Sequence, residues 1–243
     1  MEMFAHSAQF SIAPTAPALP AGCHLPGHPQ RPVLRHHTEV ARRSPATLEG
    51  RITLMHAIAH IEFNAINLAL DAAWRFRRLP NAFRADWIRV AEEEARHYQL
   101  VVARLADYGC AYGDLDAHAG LWEMAVKTAH DPLVRMALVP RLMEARGLDV
   151  NPGIQQKFAA AGDTASVAAL EVILAEEVGH VAIGNHWFGV LCRQRGLEPL
   201  ATFVDLLAEY AIPVPRPPFN LAGRQAAGFT PAEIDWLTRG VPA

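Results

Sequence analysis

Apolar residues recur every three or four positions along several long stretches of this chain, a spacing typical of one face of an α-helix. The first such stretch predicts a helix over residues 46 to about 76. Ser44 is expected to cap it, and Pro45 suits the first helical position because that position needs no N–H donor. No convincing run of alternating apolar and polar residues indicates a strand, so the chain is expected to be all-α.

Further helices follow, separated by glycine and proline. The predicted segments are residues 81–108, an interrupted region from 120 to about 147, a short helix at 155–161, a long helix at 164–195 and a short helix at 200–210. Pro132 and Pro140 should break or kink the third region, and the sequence LDVNPG after it predicts a turn. Thr230 and Glu233 have the spacing of a capping box, which predicts a last short helix.

These segments divide the chain into three parts. Residues 1–43 are rich in Pro, Ala, His and Arg without periodicity, and we expect them to be extended or partly disordered. Residues 44–196 are expected to form a four-helix bundle, because they contain the long amphipathic segments. Residues 197–243 are expected to form an extension with short helices that packs on this bundle.

Composition and charge narrow the class of protein. Hydrophobic residues make up 51% and charged residues 19% of the 243 residues, which is typical of a soluble globular protein. A net charge of -3 does not favour a nucleic-acid partner or an anionic membrane surface. The sequence shows no secretory signal, no long uncharged apolar run and no paired cysteines, so we expect a cytoplasmic protein without a membrane partner.

Acidic residues interrupt the predicted apolar faces of the four long segments in a repeated order. The first and third segments each place one glutamate among apolar neighbours, and the second and fourth each place a Glu-x-x-His pair there. A pair spaced i to i+3 presents both side chains on the same side of a helix. The residues are Glu62, Glu94, His97, Glu144, Glu177 and His180.

Four carboxylates in one core are costly to bury and repel one another, and two divalent cations would remove both penalties. Mixed carboxylate and imidazole ligands suit iron or manganese, and the same order of ligands occurs in di-iron and di-manganese helical bundles. The six residues therefore predict two metal ions, with iron expected first and manganese or a mixed pair as alternatives. The competing interpretation places these glutamates at helix flanks, paired with arginine or water and without metal.

Four segments carry a resemblance that covers about residues 45–240: HAIAHIEFNAINLALDAAWRF, EEEARHY, GLWEMAVKTAHDPLVRMALVPRLMEARGLDVNPG and EEVGHVAIGNHWF. They resemble a bacterial ferritin-like family known as a domain of unknown function, DUF455. The resemblance implies a ferritin-like bundle with a carboxylate-bridged metal pair, held by the same six ligands. It implies no particular substrate.

The leading expectation is a non-haem di-metal oxidoreductase that activates O2 or peroxide to oxidise or hydroxylate a substrate that the sequence does not identify. An electron donor is a further expected partner, and the protein is expected to be a monomer or homodimer. Three alternatives stay open: a metal-handling or iron-oxidising protein, a tRNA-modifying hydroxylase, and a structural bundle with a vestigial site. Arg141 and Arg146 flank Glu144, where they could bind an anionic group or form surface salt bridges.

Overall fold

The computed structural model describes residues 29–40 and 43–239, and within these ranges the chain is helical, with no strand beyond an isolated bridge between Leu34 and Ala117. The helices are α1 (Leu48–Arg75), α2 (Asn81–Asp107), α3 (Gly120–Lys127), α4 (Pro132–Leu138), a π-helical segment (Val139–Glu144), α5 (Ala145–Ala160), α6 (Thr164–Arg195), α7 (Pro199–Glu209), α8 (Leu221–Ala226) and α9 (Pro231–Arg239). None of these helices combines the length and apolarity needed to cross a membrane. Most of the predicted extended N-terminal segment, residues 1–28 and 41–42, lies outside the described residues, as do residues 240–243.

Helix α1 begins later than its sequence predicted. Thr47 caps it in place of Ser44, since Thr47 Oγ1 accepts a hydrogen bond from the backbone N–H of Gly50 at 3.1 Å. Ser44 instead begins a turn, in which its carbonyl accepts from the N–H of Thr47 at 3.2 Å. This turn lies so close to α1 that a Cβ at position 50 would fall 1.7 Å from the Ser44 oxygen, so position 50 requires glycine.

The third helical region differs most from its prediction. Helix α4, the π-helical segment and α5 follow one another without a break, so the turn predicted at LDVNPG was wrong. Pro152 lies inside α5, and its missing N–H leaves the Leu148 carbonyl without its helical donor. Asn220 supplies a donor from outside the helix, because its Nδ2 lies 3.3 Å from that carbonyl oxygen. The short helix predicted at residues 155–161 is therefore the end of α5.

Local signals predicted other elements well. Helix α6 has the predicted bounds, because the Asp163 side chain accepts from the N–H of Ser166 at its start and Gly196, with φ +66°, ends it. The capping box before α9 also forms, with the Thr230 N–H donating to Glu233 Oε2 at 2.7 Å and the Glu233 N–H donating to Thr230 Oγ1 at 3.3 Å. Helices α2 and α7 lie within one residue of their predicted bounds, whereas α8 was not predicted.

Two apolar clusters lie at opposite ends of the long helices and define where the polar residues meet. Helix α1 packs along α2, α5 packs along α6, and the two pairs meet through α2 and α6. One cluster surrounds Phe83, Trp187 and Phe188, and the other surrounds Leu105 and Phe158. On α1, α2 and α6, the stretch between the clusters contains the glutamates and histidines singled out by the sequence.

Candidate metal centre

The two Glu-x-x-His pairs converge from neighbouring helices. Glu94 and His97 on α2, and Glu177 and His180 on α6, each offer one ligand atom, and these four atoms all lie within 4.8 Å of one another. Three of the residues are buried, and the Glu177 side chain is 13% exposed. We refer to these four residues as the Glu/His cluster. Its compact set of two carboxylates and two imidazoles can hold a metal ion.

The two remaining predicted ligands adjoin this cluster. Glu62 on α1 is buried, and its Oε2 lies 3.4 Å from His97 Nδ1. Glu144 is the last residue of the π-helical segment, and it lines the same cavity as Glu62, Glu94 and Glu177. The structure thus brings Glu62 into direct contact with the cluster and places Glu144 on the wall of the same cavity.

Two glutamates that the sequence interpretation did not select hold the histidines from outside. His180 Nε2 donates to Glu93 Oε2 at 2.8 Å, and His97 Nε2 donates to Glu176 Oε2 at 3.0 Å. We call Glu93 and Glu176 the outer glutamates; each precedes a cluster glutamate on one helix and contacts the histidine of the other. This arrangement directs the Nδ1 atoms inward, where they lie 3.0 Å (His180) and 3.2 Å (His97) from the carboxylate of Glu94.

A repeated motif could have revealed the outer glutamates. Both α2 and α6 carry Glu-Glu-x-x-His, in the sequences EEARH and EEVGH. The apolar-stripe criterion selected only the second glutamate of each, because Glu93 and Glu176 are partly exposed, at 24% and 33% of their side chains. The first glutamate of each motif thus contacts a histidine. The apolar-stripe criterion did not select it, because it searched only for residues on the buried face of each helix.

Three carboxyl groups at the site have a raised pKa when no cation is bound. Burial raises the pKa of Glu62 and Glu144 well above the usual value and also raises that of Glu177, and the negative charge of Glu94 adds to each shift. Within the described residues, the Oε2 atoms of Glu62 and Glu144 are buried without a hydrogen-bond partner. Such orphaned oxygens are costly, and a cation between them would provide the missing partner, so these residues fit a bound metal.

The pKa shifts of the other three ionisable groups favour their charged forms. Burial acts to raise the pKa of Glu94, but hydrogen bonds from His180 and His97 overcome it and lower the pKa to about 2. Burial acts to lower the pKa of both histidines, yet the surrounding carboxylates raise the pKa of His97 to about 10 and that of His180 to about 12. Protons on the imidazoles therefore stabilise the metal-free cluster, and a metal ion would displace the proton on each Nδ1.

The π-helical segment depends on a close contact with α6. Pro140 is its second residue and has no N–H to offer the preceding turn. Its ring lies against Gly184 so closely that a Cβ at position 184 would be 2.4 Å from the Pro140 Cβ. Gly184 thus makes room for the segment that ends at Glu144. Single π-helical turns are rare in proteins overall, and those that occur are often found at functional sites.

A cavity of about 1390 Å³ opens onto one side of the cluster. It lies between α1 and α5, and most of its walls are apolar side chains. The carboxylates of Glu62, Glu94, Glu144 and Glu177 line it, whereas His97 and His180 do not. A molecule in the cavity would therefore meet the cluster at its carboxylate oxygens.

Of the two arginines that flank Glu144, Arg141 is unavailable to a ligand. It is buried, its Nη1 donates to Asn185 Oδ1 at 2.7 Å, and its Nη2 pairs with Glu233. These contacts fasten α9 to the π-helical segment. Arg146 is different, because 43% of its side chain is exposed and it lines the cavity.

Comparison with known proteins shows which family the chain resembles, but the matching family and relative have no described activity. A family model described as "Protein of unknown function (DUF455)" matches residues 2–235, which include every residue of the site. An uncharacterized protein of Haemophilus influenzae is 51% identical over 216 residues, which cover 86% of this chain and 75% of that relative. No solved structure matches.

Proposed function

The chain belongs to the DUF455 family, and we propose that it is a ferritin-like di-metal oxidoreductase, with iron as the expected metal, that activates O2 or peroxide to oxidise or hydroxylate an organic substrate. One observation carries the proposal: the two Glu-x-x-His pairs meet within 4.8 Å in the core, beside two more glutamates that each have a buried oxygen without a hydrogen-bond partner. So many buried carboxylates are costly without cations. When bound, metal ions of this kind supply the redox and oxygen chemistry.

The ligand roles follow from the contacts. Glu94 and Glu177 would hold the metal together with both histidines, because each lies near both imidazoles. Glu62 and Glu144 would complete the ligand set. His97 and His180 would bind through Nδ1, since the Nε2 of each donates to an outer glutamate. These outer contacts hold the tautomer and the orientation of both rings.

The cavity favours an enzyme over a protein that only handles metal. Its apolar walls exclude water from the carboxylate side of the cluster and can hold an organic molecule there. A protein that only moves iron would need a polar route to the site. The rim of the cavity carries acidic as well as basic residues, which supports a small molecule more than a tRNA.

Metal content tests the proposal. Protein produced with iron and purified anaerobically should contain about two iron or manganese ions per chain, as expected for this ligand set. The double variant Glu94→Ala with Glu177→Ala should lose them. Glu92→Ala with Glu171→Ala is the matched control, because it removes two exposed glutamates from the same two helices. A wild-type protein without stoichiometric metal would rule out the proposal, as would full metal retention in the Glu94/Glu177 variant.

Oxygen consumption separates the enzyme from a metal-handling protein. Loaded wild-type protein supplied with a chemical reductant and O2 should consume O2 over many turnovers. Consumption that stops after about one equivalent per metal pair, with and without added organic compounds that fit the cavity, would favour metal handling. The Glu94/Glu177 variant provides the background rate.

A further inference from the structure

The cavity beside the cluster is elongated. Helix α1 lines it from Glu49 to Leu68, which at about 1.5 Å per residue is a length of roughly 28 Å. Helix α5 lines the facing wall as far as Ile154, beginning next to Glu144. From Glu62 to the start of α1 the cavity extends roughly 20 Å at the same rise per residue, and we call this part the arm. The total volume of about 1390 Å³ exceeds the roughly 300–1,000 Å³ of common small-molecule pockets.

The arm offers a ligand mostly apolar surface. Two polar side chains in its walls, His60 and Asn151, are already paired with protein groups. His60 is hydrogen-bonded to the Tyr112 hydroxyl at 2.9 Å and to the His118 carbonyl at 3.0 Å, and Asn151 donates to the Leu170 carbonyl at 3.4 Å. The apolar walls include Ile52, Ile58, Val150, Ile154, Leu170 and Ile173. Such walls suit a hydrocarbon chain.

The mouth near the cluster is basic. Arg146 and Arg216 both line it, and Arg146 Nη1 donates to the backbone carbonyls of Arg216 at 2.9 Å and Pro218 at 3.0 Å, so Arg146 lies against the segment that carries Arg216. The nearest carboxylate, Asp149, is 3.7 Å from Arg146 and is held by two hydrogen bonds from Arg224, at 2.9 and 2.7 Å. Among residues 29–40 and 43–239, no carboxylate pairs with Arg216. This mouth therefore carries excess positive charge.

The opposite end of the cavity is acidic. Arg43 pairs there with Glu49, so these two charges offset each other. Glu39 and Asp114 also line this end and form no ion pair with any described residue. The charge difference between the two ends would orient a ligand that is charged at one end only.

We propose that the cavity binds an elongated hydrocarbon chain with one anionic group, a carboxylate or a phosphate, at Arg146 and Arg216. The chain would lie along the arm between α1 and α5. Arg146 is two residues after Glu144, so carbons near the anionic group would lie beside the carboxylates of the cluster. This inference rests on the proposed oxidoreductase for its chemistry, because it names the class of substrate, but binding itself needs no metal.

Calorimetric titration of the full-length protein with dodecanoate, below its micelle concentration, tests the binding. We expect one dodecanoate per chain. Butyrate, which has the anion without the chain, and dodecanol, which has the chain without the anion, should each bind at least tenfold more weakly. Dodecyl phosphate distinguishes the two head groups: tighter binding than dodecanoate assigns the mouth to phosphate, and weaker binding assigns it to carboxylate.

Two substitutions place the ligand in the cavity. Gly147 lines it, and a Cβ at this position would meet no atom within 4 Å, so Gly147→Phe fills space without a clash and is also a better helix former. It should weaken dodecanoate binding at least tenfold without lowering Tm. Gly153→Phe is the matched control: position 153 is on the same helix with equal room, is exposed and is outside the cavity. Arg216→Gln should weaken dodecanoate about tenfold and leave dodecanol unchanged.

The results separate this inference from the proposed function. Wild-type protein stripped of metal by a chelator should still bind dodecanoate, so a failed metal analysis and a failed binding site produce different results. No binding by the wild type, or wild-type affinity in both Gly147→Phe and Arg216→Gln, would overturn the inference. Butyrate binding as tight as dodecanoate binding would also overturn it, since the arm would then contribute nothing.

Discussion

Replacing an outer glutamate should weaken metal binding although neither outer glutamate is a proposed ligand. Glu93 accepts from His180 Nε2 at 2.8 Å, and its side chain is 24% exposed. Glu176 accepts from His97 Nε2 at 3.0 Å, is 33% exposed, and shares the same oxygen with Arg96 at 3.2 Å. Arg96 Nη2 lies closer to Glu176 than to Glu93, whose Oε1 is 4.0 Å away, so its positive charge and the greater contact with water both reduce what Glu176 contributes to its histidine. Substitution of Glu93 should therefore have the larger effect.

The expected loss of metal affinity follows from the role of the outer glutamates, which orient the metal-binding histidines. Loss of the group that orients a metal-binding histidine typically weakens metal affinity about 10- to 100-fold, which is about 1.4–2.7 kcal/mol. We expect Glu93→Ala near the upper end of this range and Glu176→Ala near the lower end. Glu93→Gln should be intermediate, because its amide oxygen can still accept from the imidazole N–H but lacks the charge that strengthens the imidazole as a ligand.

Competition with a chromophoric chelator measures these affinities for Mn²⁺ at fixed pH. Glu92→Ala is the control, since Glu92 is the adjacent residue and is exposed. All variants should first show a wild-type circular dichroism spectrum. A folded Glu93→Ala protein that binds Mn²⁺ as tightly as Glu92→Ala would refute the reasoning, because the outer glutamate would then not orient His180.

Three changes test the framework around the cluster. Gly184→Ala should lower Tm and reduce metal content, because the new Cβ would lie 2.4 Å from that of Pro140 in the π-helical segment. Asp71→Asn should lower the free energy of unfolding in urea by about 3–5 kcal/mol, because Arg135, 1% exposed, would lose the carboxylate that it contacts at 2.7 Å. Burial acts to raise the pKa of Asp163, but its hydrogen bonds lower it, so its carboxylate stabilises the fold above the unfolded pKa of about 3.9. The stability difference between wild type and Asp163→Asn should be complete at neutral pH and disappear as pH falls through the lowered pKa.

Each of these three expectations has a contrary result. Wild-type Tm and metal content in Gly184→Ala would show that the π-helical segment tolerates a methyl group at the contact. A loss below about 1 kcal/mol in Asp71→Asn would show that the other partners of Arg135 suffice for its charge. A stability difference for Asp163→Asn that persists unchanged in acid would show that the charge of Asp163 is not what stabilises α6.

How far the helices can be predicted depends on the distance over which their signals act. The bounds of α6 follow from Asp163 and Gly196, which act within one turn of the helix. The continuity of α5 through Pro152 depends instead on Asn220, which reaches the Leu148 carbonyl, left without its helical donor, from a distant part of the chain. A local pattern cannot reveal such a donor, so the sequence predicted a turn where the fold has a helix.

At the candidate site, too, some features follow from local sequence and others depend on contacts between distant segments. Helical stripes selected all six predicted ligands, Glu144 included, because helical spacing is encoded locally, and the structure brings the four residues of the Glu/His cluster together. The bond between Glu93 and His180 crosses from α2 to α6, so it depends on how the helices pack. The depth of the cavity also depends on packing, since α1 and α5 are far apart in sequence. That a metal binds here remains a prediction, which is based on the chemistry of the carboxylate and imidazole side chains.

The cluster has two unlike sides, and this difference constrains how a substrate would reach it. On the side of α2 and α6, the rings of His97 and His180 are held by charged hydrogen bonds from outside the cluster. On the side of α1 and the π-helical segment, Glu62 and Glu144 each carry an oxygen without a partner among the described residues, and both face the cavity. Carboxylates can change between one and two metal contacts by small rotations, whereas fixed imidazoles cannot. A substrate in the cavity would therefore reach the metal site from the carboxylate side, while the outer glutamates hold the histidines in place behind it.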